Sequence, residues 1–96
     1  MLRYNRKEKN DMKDVTILVV DDESRMRKLV KDFLAQKQYK VLEAADGEEA
    51  LTVFEENQNK INLILLDVMM PKLDGWSVLR QIRQKSKVPI IMLTAR

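Results

Sequence analysis

The stretch Ile61 to Trp76, INLILLDVMMPKLDGW, constrains this chain more than any other. Five of the six residues from Ile61 to Leu66 are apolar, and the run stops at a carboxylate, Asp67. An Ile/Leu run without polar alternation predicts a strand buried on both faces, as in a parallel sheet covered by helices. Open parallel sheets keep their ligand crevices at the carboxyl ends of the strands, so Asp67 is expected to face a crevice. Pro71 has no N–H to continue a ladder, and Asp74-Gly75 marks a turn before helix-forming sequence. Taken alone, Asp67 reads equally well as a polar residue closing a strand before a turn.

The rest of the chain arranges itself around that strand. Val15 to Val20, VTILVV, is a second β-branched run, and it ends at Asp21-Asp22-Glu23-Ser24. From Ser24 the period becomes helical. Met26, Leu29, Val30, Phe33 and Leu34 fall on one face, with Arg25, Lys28, Lys31 and Asp32 outward. Tyr39 to Ala45 is a short strand broken by Asp46-Gly47. Glu48 to Asn57 reads as a helix with Ala50, Leu51 and Phe54 inward and with Glu48 and Glu49 at its positive N-terminal end. Gly75 to Lys85 is a third helix with Trp76, Val78, Leu79 and Ile82 on its buried side. Val88 to Leu93 is a fourth strand, closing on Thr94-Ala95-Arg96. The order β-α-β-α-β-α-β predicts an α/β fold with a parallel sheet, and no internal repeat competes with it.

Composition narrows the partners. The 96 residues suffice for one domain with a modest core. The net charge of +3 is concentrated in the leader MLRYNRKEKNDMKD, leaving residues 15–96 nearly balanced, so the basic pI does not by itself imply nucleic acid. Residues 1–14 are expected to form a solvated basic tail. With no cysteine, there is no disulfide framework and no thiol chemistry, which suits a reducing cytoplasm. No apolar run approaches a membrane span or a signal peptide, so no membrane partner is expected.

Three strand ends converge chemically if the first, third and fourth strands are neighbours: Asp21 and Asp22, Asp67, and Thr94. Asp21-Asp22 alone could cap the helix starting near Ser24, and Thr94 alone could be a cap or loop hydroxyl. Their joint placement, each at the end of an apolar strand, is far more specific than any one part. Clustered carboxylates repel by roughly 4 kcal/mol per close pair at an effective dielectric near 20. Such a cluster needs a cation, and oxygen-only ligands suit a hard ion, Mg²⁺ or Mn²⁺.

At these residues the chain resembles a known family. ILVVDDE, LLDVMMPKLDGW and VPIIMLTAR are similar to the receiver domain of bacterial two-component response regulators, in particular the winged-helix transcription-factor subfamily. The likeness covers Val15 to Arg96. It implies a flavodoxin-like three-layer fold whose sheet runs 2-1-3-4, Asp67 as phosphoacceptor, and Mg²⁺ held by Asp22, Asp67 and the Met69 backbone carbonyl with Asp21 in support. It also implies Thr94 as a switch hydroxyl on the phosphoryl group, a sensor histidine kinase as donor, and Met69 and Arg96 as positions that tune the lifetime of the acyl phosphate. DNA binding is implied only through a C-terminal domain absent from these residues. The chemistry is self-consistent, since a carboxylate can attack phosphorus and a divalent ion offsets the charge of the phosphoryl oxygens.

The chain also departs from that family. Receivers continue with a fourth helix, a fifth strand ending in a phosphate-pairing lysine before proline, and a fifth helix. Lys87-Val88-Pro89 is not that motif, because it precedes the fourth strand. The expectation is therefore a partial receiver over residues 15–96. Right-handed crossovers put the first helix on one face of the sheet and the second and third on the other. One face is then under-covered, and self-association through the exposed fourth strand is expected. An Asp-nucleophile phosphatase of the haloacid-dehalogenase type is the enzymatic alternative. That chemistry wants a second Asp two residues after the nucleophile, where this chain has Met69, so a non-enzymatic module is expected. A non-phosphorylatable structural fragment is the other alternative.

Overall fold

The computed structural model describes residues 14–93. The expected basic tail, Asp14 excepted, and Thr94 and Arg96 lie outside the described residues. Among the described residues four strands and three helices alternate: β1 (Thr16–Val20), α1 (Ser24–Gln36), β2 (Lys40–Ala44), α2 (Gly47–Glu56), β3 (Ile61–Asp67), α3 (Gly75–Arg83) and β4 (Ile90–Leu93). The strands form one parallel sheet in the order β2-β1-β3-β4, the flavodoxin-like arrangement the sequence implies. Among the described residues, no helix is long and apolar enough to cross a membrane.

The register decides what each face buries. Val20 lies beside Ala44 on one side and Leu66 on the other, and Leu18 beside Leu42 and Ile64. These rows face α2 and α3. Leu18, Val20, Ile64 and Leu66 pack there with Ala50, Phe54, Val78 and Ile82 in a continuous core, none of them more than 1% exposed. Each large apolar side chain buried in this way contributes about 1.5–3 kcal/mol, so most of the fold's cohesion lies on this face.

The opposite face departs from expectation. Ile17 and Val19 are buried, and α1 packs over the β1–β2 half, but α1 itself has no buried residue. Met26, Leu29 and Phe33, expected to face inward, are 42%, 66% and 57% exposed. Only Val30 and Leu34 of that set are half-buried. The period identifies an apolar flank correctly, yet among the described residues no helix covers the β3–β4 half toward which that flank turns. For the same reason β3 is not buried on both faces. Ile64 and Leu66 are fully buried on the α2–α3 side, whereas Leu63 and Leu65 are half-buried on the other. Beside Leu65 in register lies Ile91, half exposed on the edge strand.

Trp76 also differs from expectation, being 48% exposed. The buried side of α3 is set by Gly75, Val78 and Ile82, with Leu79 packed partly against the core. Spacing of three and four residues carries that stripe away from Trp76, which sits one position round the helix at its first turn.

Candidate functional site

The parallel register places the two acidic strand ends side by side. Val20 pairs with Leu66, so the residues that follow, Asp21 and Asp67, leave neighbouring strands at one edge of the sheet. Asp67 is 3% exposed and Asp21 9%, while Asp22 is exposed. Carboxylate oxygens of the three lie within 4.8 Å of one another. The chain thus brings together the acidic residues singled out from the sequence, whereas Thr94 lies outside the described residues.

Local hydrogen bonds hold this edge. The Glu23 N–H donates to Asp21 Oδ1 at 2.9 Å, and the Asp21 N–H donates to the Ala44 carbonyl at 3.2 Å. Asp21 and Asp22 therefore do not cap α1. The capping position belongs to Glu23, whose side chain makes no capping bond. On the other strand the Met69 N–H donates to Asp67 Oδ1 at 3.2 Å, fixing the turn that follows β3. The Met69 side chain is exposed and lines an open cleft with Val68, Met70, Asp74 and Trp76.

Both glycines of the chain serve the loop that follows Asp67. The Gly75 N–H donates to the Val68 carbonyl at 3.0 Å, closing the loop on itself. A Cβ at Gly75 would meet the Asp67 carbonyl oxygen and lie 2.9 Å from the Val68 Cα; one at Gly47 would lie 2.5 Å from the Leu73 carbonyl oxygen. Those contacts are backbone and cannot swing aside. Glycine at 75 lets α3 start against the end of β3, and glycine at 47 seats the same loop against α2. Asp74 caps α3 by accepting the Ser77 N–H at 2.9 Å, and that bond holds its carboxyl below the usual carboxylate range.

Three features of this edge were not drawn from the sequence. The spacing Asp46-x-x-Glu49 is an N-terminal capping signal. Asp46 accepts the Glu49 N–H at 2.7 Å, and the Glu49 carboxylate accepts from the Ala45 N–H, so Asp46-Gly47 begins α2 as well as ending β2. The tight packing at Gly75 was legible only as a turn signal. Arg27, whose guanidinium donates to the Asp21 carbonyl, carries no local signal at all, because its partner lies across a strand-to-helix junction.

The donor set fits a hard divalent ion. It consists of carboxylate oxygens that converge from two strands, and two of the three acids are withdrawn from water, where their mutual repulsion is least screened. A doubly wound parallel sheet with an acidic pocket at the carboxyl ends of its strands, the buried strand-end Asp67 among its acids, is the arrangement that the sequence resemblance implies.

Comparison with known proteins agrees. The response regulator receiver domain family matches residues 17–96, and the chain belongs to that family. It is 54% identical over 79 residues to a probable transcriptional regulator ycf27 of Cyanophora paradoxa, covering 82% of this chain and 32% of that protein. It is 48% identical over 83 residues to the transcriptional regulatory protein ResD of Bacillus subtilis, covering 86% and 34%. The chain thus spans about a third of the length of these curated relatives. Among solved structures, a receiver domain protein from Clostridium thermocellum superposes with a TM-score of 0.81 at 38% identity, covering 83% of this chain and 64% of that one. The response regulator TrrA of Thermotoga maritima, in complex with Mg²⁺ and BeF, gives 0.79 at 42% identity, covering 85% and 70%.

Proposed function

We propose that this chain is the phosphoacceptor module of a two-component response regulator. The observation that carries the reading is the convergence of Asp21, Asp22 and Asp67, with Asp67 buried at the end of the central strand β3. A carboxylate oxygen of Asp67 attacks phosphorus of a phosphohistidine on a sensor histidine kinase. The acyl P–O bond forms as the P–N bond breaks, and the imidazole leaves with the electron pair. Asp22, Asp67 and the Met69 carbonyl, with Asp21 beside them, would hold Mg²⁺, which would supply charge neutralisation at the phosphoryl oxygens. The Met69 N–H, already on Asp67 Oδ1, orients the acceptor carboxylate. Thr94 is the switch hydroxyl of this reading.

The module signals by state and does not turn over a substrate. Its place is the cytoplasm, where the kinase's phosphohistidine is presented. Transcriptional output is carried by the names of the relatives, and DNA contact would belong to a C-terminal domain beyond these 96 residues. The edge strand β4 and the apolar face beside it, which no helix among the described residues covers, would bind a second copy of the chain.

Intact mass after incubation with a small-molecule phosphodonor and Mg²⁺ tests the acceptor. The parent gains one phosphoryl increment and Asp67→Asn gains none. An increment on both would place the acceptor elsewhere, and an increment on neither would remove the phosphoacceptor reading for this chain.

A further inference from the structure

Arg27 lies outside the acidic cluster but grips the backbone that carries it. Its Nη1 donates to the Asp21 carbonyl oxygen at 2.7 Å, and its Nε donates to Glu43 Oε1 at 3.2 Å. The side chain is only 18% exposed. Both bonds are charge-assisted, and they tie three elements together: α1 through Arg27, the end of β1 through Asp21, and β2 through Glu43. Lys31, one turn further along α1, reaches the other oxygen of Glu43 at 3.0 Å.

We propose that Arg27 is a positioning residue for the acidic pocket: anchored on Glu43, it fixes the Asp21–Asp22 peptide and thereby sets the pocket's affinity for a divalent cation. The inference rests on the reading of that pocket as a Mg²⁺ site. The Asp21 carbonyl and the Asp22 amide belong to one planar unit, so holding the carbonyl fixes the direction from which Asp22 projects. Asp22 is the exposed member of the cluster, and packing cannot aim its side chain. Its aim depends on backbone orientation. The other anchors of this junction hold the Asp21 amide and side chain, through the Ala44 carbonyl and the Glu23 N–H, and leave the Asp21 carbonyl to Arg27, while α1 itself buries no residue and its capping position makes no side-chain bond. The polar clamp on Asp21 and Glu43 therefore holds the first turn of α1 against the site.

Sign separates positioning from simple charge. A cation beside a cluster of carboxylates opposes a second cation, so losing the Arg27 charge would tighten Mg²⁺ binding if charge alone mattered. Positioning predicts the reverse. Mg²⁺ titration by calorimetry, at a temperature where circular dichroism shows each protein folded, compares the parent with Arg27→Gln, Arg27→Lys and Glu43→Gln. Arg27→Gln should weaken Mg²⁺ binding about tenfold, the scale on which partners behind metal ligands act. Arg27→Lys should recover only part of the loss, because an ammonium lacks the planar fork that spans both partners. Glu43→Gln should give a smaller loss, with Arg27 retained but its anchor neutralised. Unchanged or tighter binding in folded Arg27→Gln, even with a lowered melting temperature, overturns the proposal. Should Arg27→Gln not fold, Arg27→Lys decides, because it keeps the charge: weaker binding supports positioning and unchanged binding overturns it. Absence of saturable Mg²⁺ binding by the parent would overturn the metal reading itself, and this inference with it.

Discussion

Gln38 and Lys72 hold left-handed backbone, at φ 71° and 68°, without the freedom of glycine. Gln38 ends α1: its N–H donates to the Ala35 carbonyl and the Tyr39 N–H to the Leu34 carbonyl, the bonding of a left-handed helix stop. Lys72 turns the loop between Asp67 and α3, beside the Leu73 N–H bond to the Pro71 carbonyl at 2.8 Å. A side chain in this region costs about 1–2 kcal/mol, partly offset by the entropy glycine would lose on folding. Gln38→Gly and Lys72→Gly should each therefore raise the unfolding free energy by about 0.5–1 kcal/mol, read as a higher urea midpoint at unchanged slope. Neither strained residue shows in the sequence, because left-handed backbone announces itself only when glycine or asparagine occupies it. The acids of the site are legible for the opposite reason. Asp21, Asp22 and Asp67 each end or follow an apolar run, and strand direction alone takes them to one edge. Arg27 acts on a carbonyl six residues back across a junction, a relation that exists only after α1 has docked.

Among the elements, α1 is held by charge where α2 and α3 are held by burial. Lys31 and Arg27 both bond Glu43 of β2, and the Lys31 bond is the larger cause that holds the Glu43 carboxyl below its ordinary value of 4.5, against a smaller opposing effect of burial. A carboxyl with a lowered pKa in the folded state stabilises the fold above its unfolded value and loses that contribution as pH falls through the folded one. Glu43 is partly solvated, so the contribution is at most about 1 kcal/mol. The stability gap between the parent and Glu43→Gln should accordingly be present at neutral pH and close as pH drops below 4.5. Urea unfolding of the two proteins across that range measures it, and a gap unchanged at acid pH would show that Glu43 acts through packing. Element order and type were legible because hydrophobic period separates strand from helix, and observed boundaries fall close to those read from capping and turn residues. The burial of α1 was not. A helical period reports which residues form an apolar flank but not whether anything stands opposite it, and Met26, Leu29 and Phe33 have no such cover among the described residues.

At the scale of the whole molecule the two faces of the sheet are unequal, and the proposed self-association follows from that asymmetry. One face carries the continuous core under α2 and α3. Among the described residues, the other carries α1 over β1 and β2 only, with Leu63 and Leu65 half-buried and Ile91 half exposed on the edge strand β4. Arg27 and Lys31 occupy the β2 flank of α1, so Met26, Leu29 and Phe33 fall on the flank toward β3. The exposed helix flank and the half-buried Leu63 and Leu65 thus lie on the same face of the sheet, beside a strand edge that can extend a sheet into a neighbouring chain. A second copy buries the same surface in return, which is the economy of a two-fold interface. Light scattering of this chain should show a mass that rises from one chain toward two with concentration. Ile91→Lys places a solvated charge on the edge strand without touching the acidic pocket, and it should hold the mass at one chain while leaving Mg²⁺ binding as in the parent. A parent mass of one chain throughout would leave β4 as a solvated edge. Dimers that persist in Ile91→Lys would move the contact to the α1 flank, where Leu29→Lys and Phe33→Lys then separate helix-mediated association from pairing of strand edges.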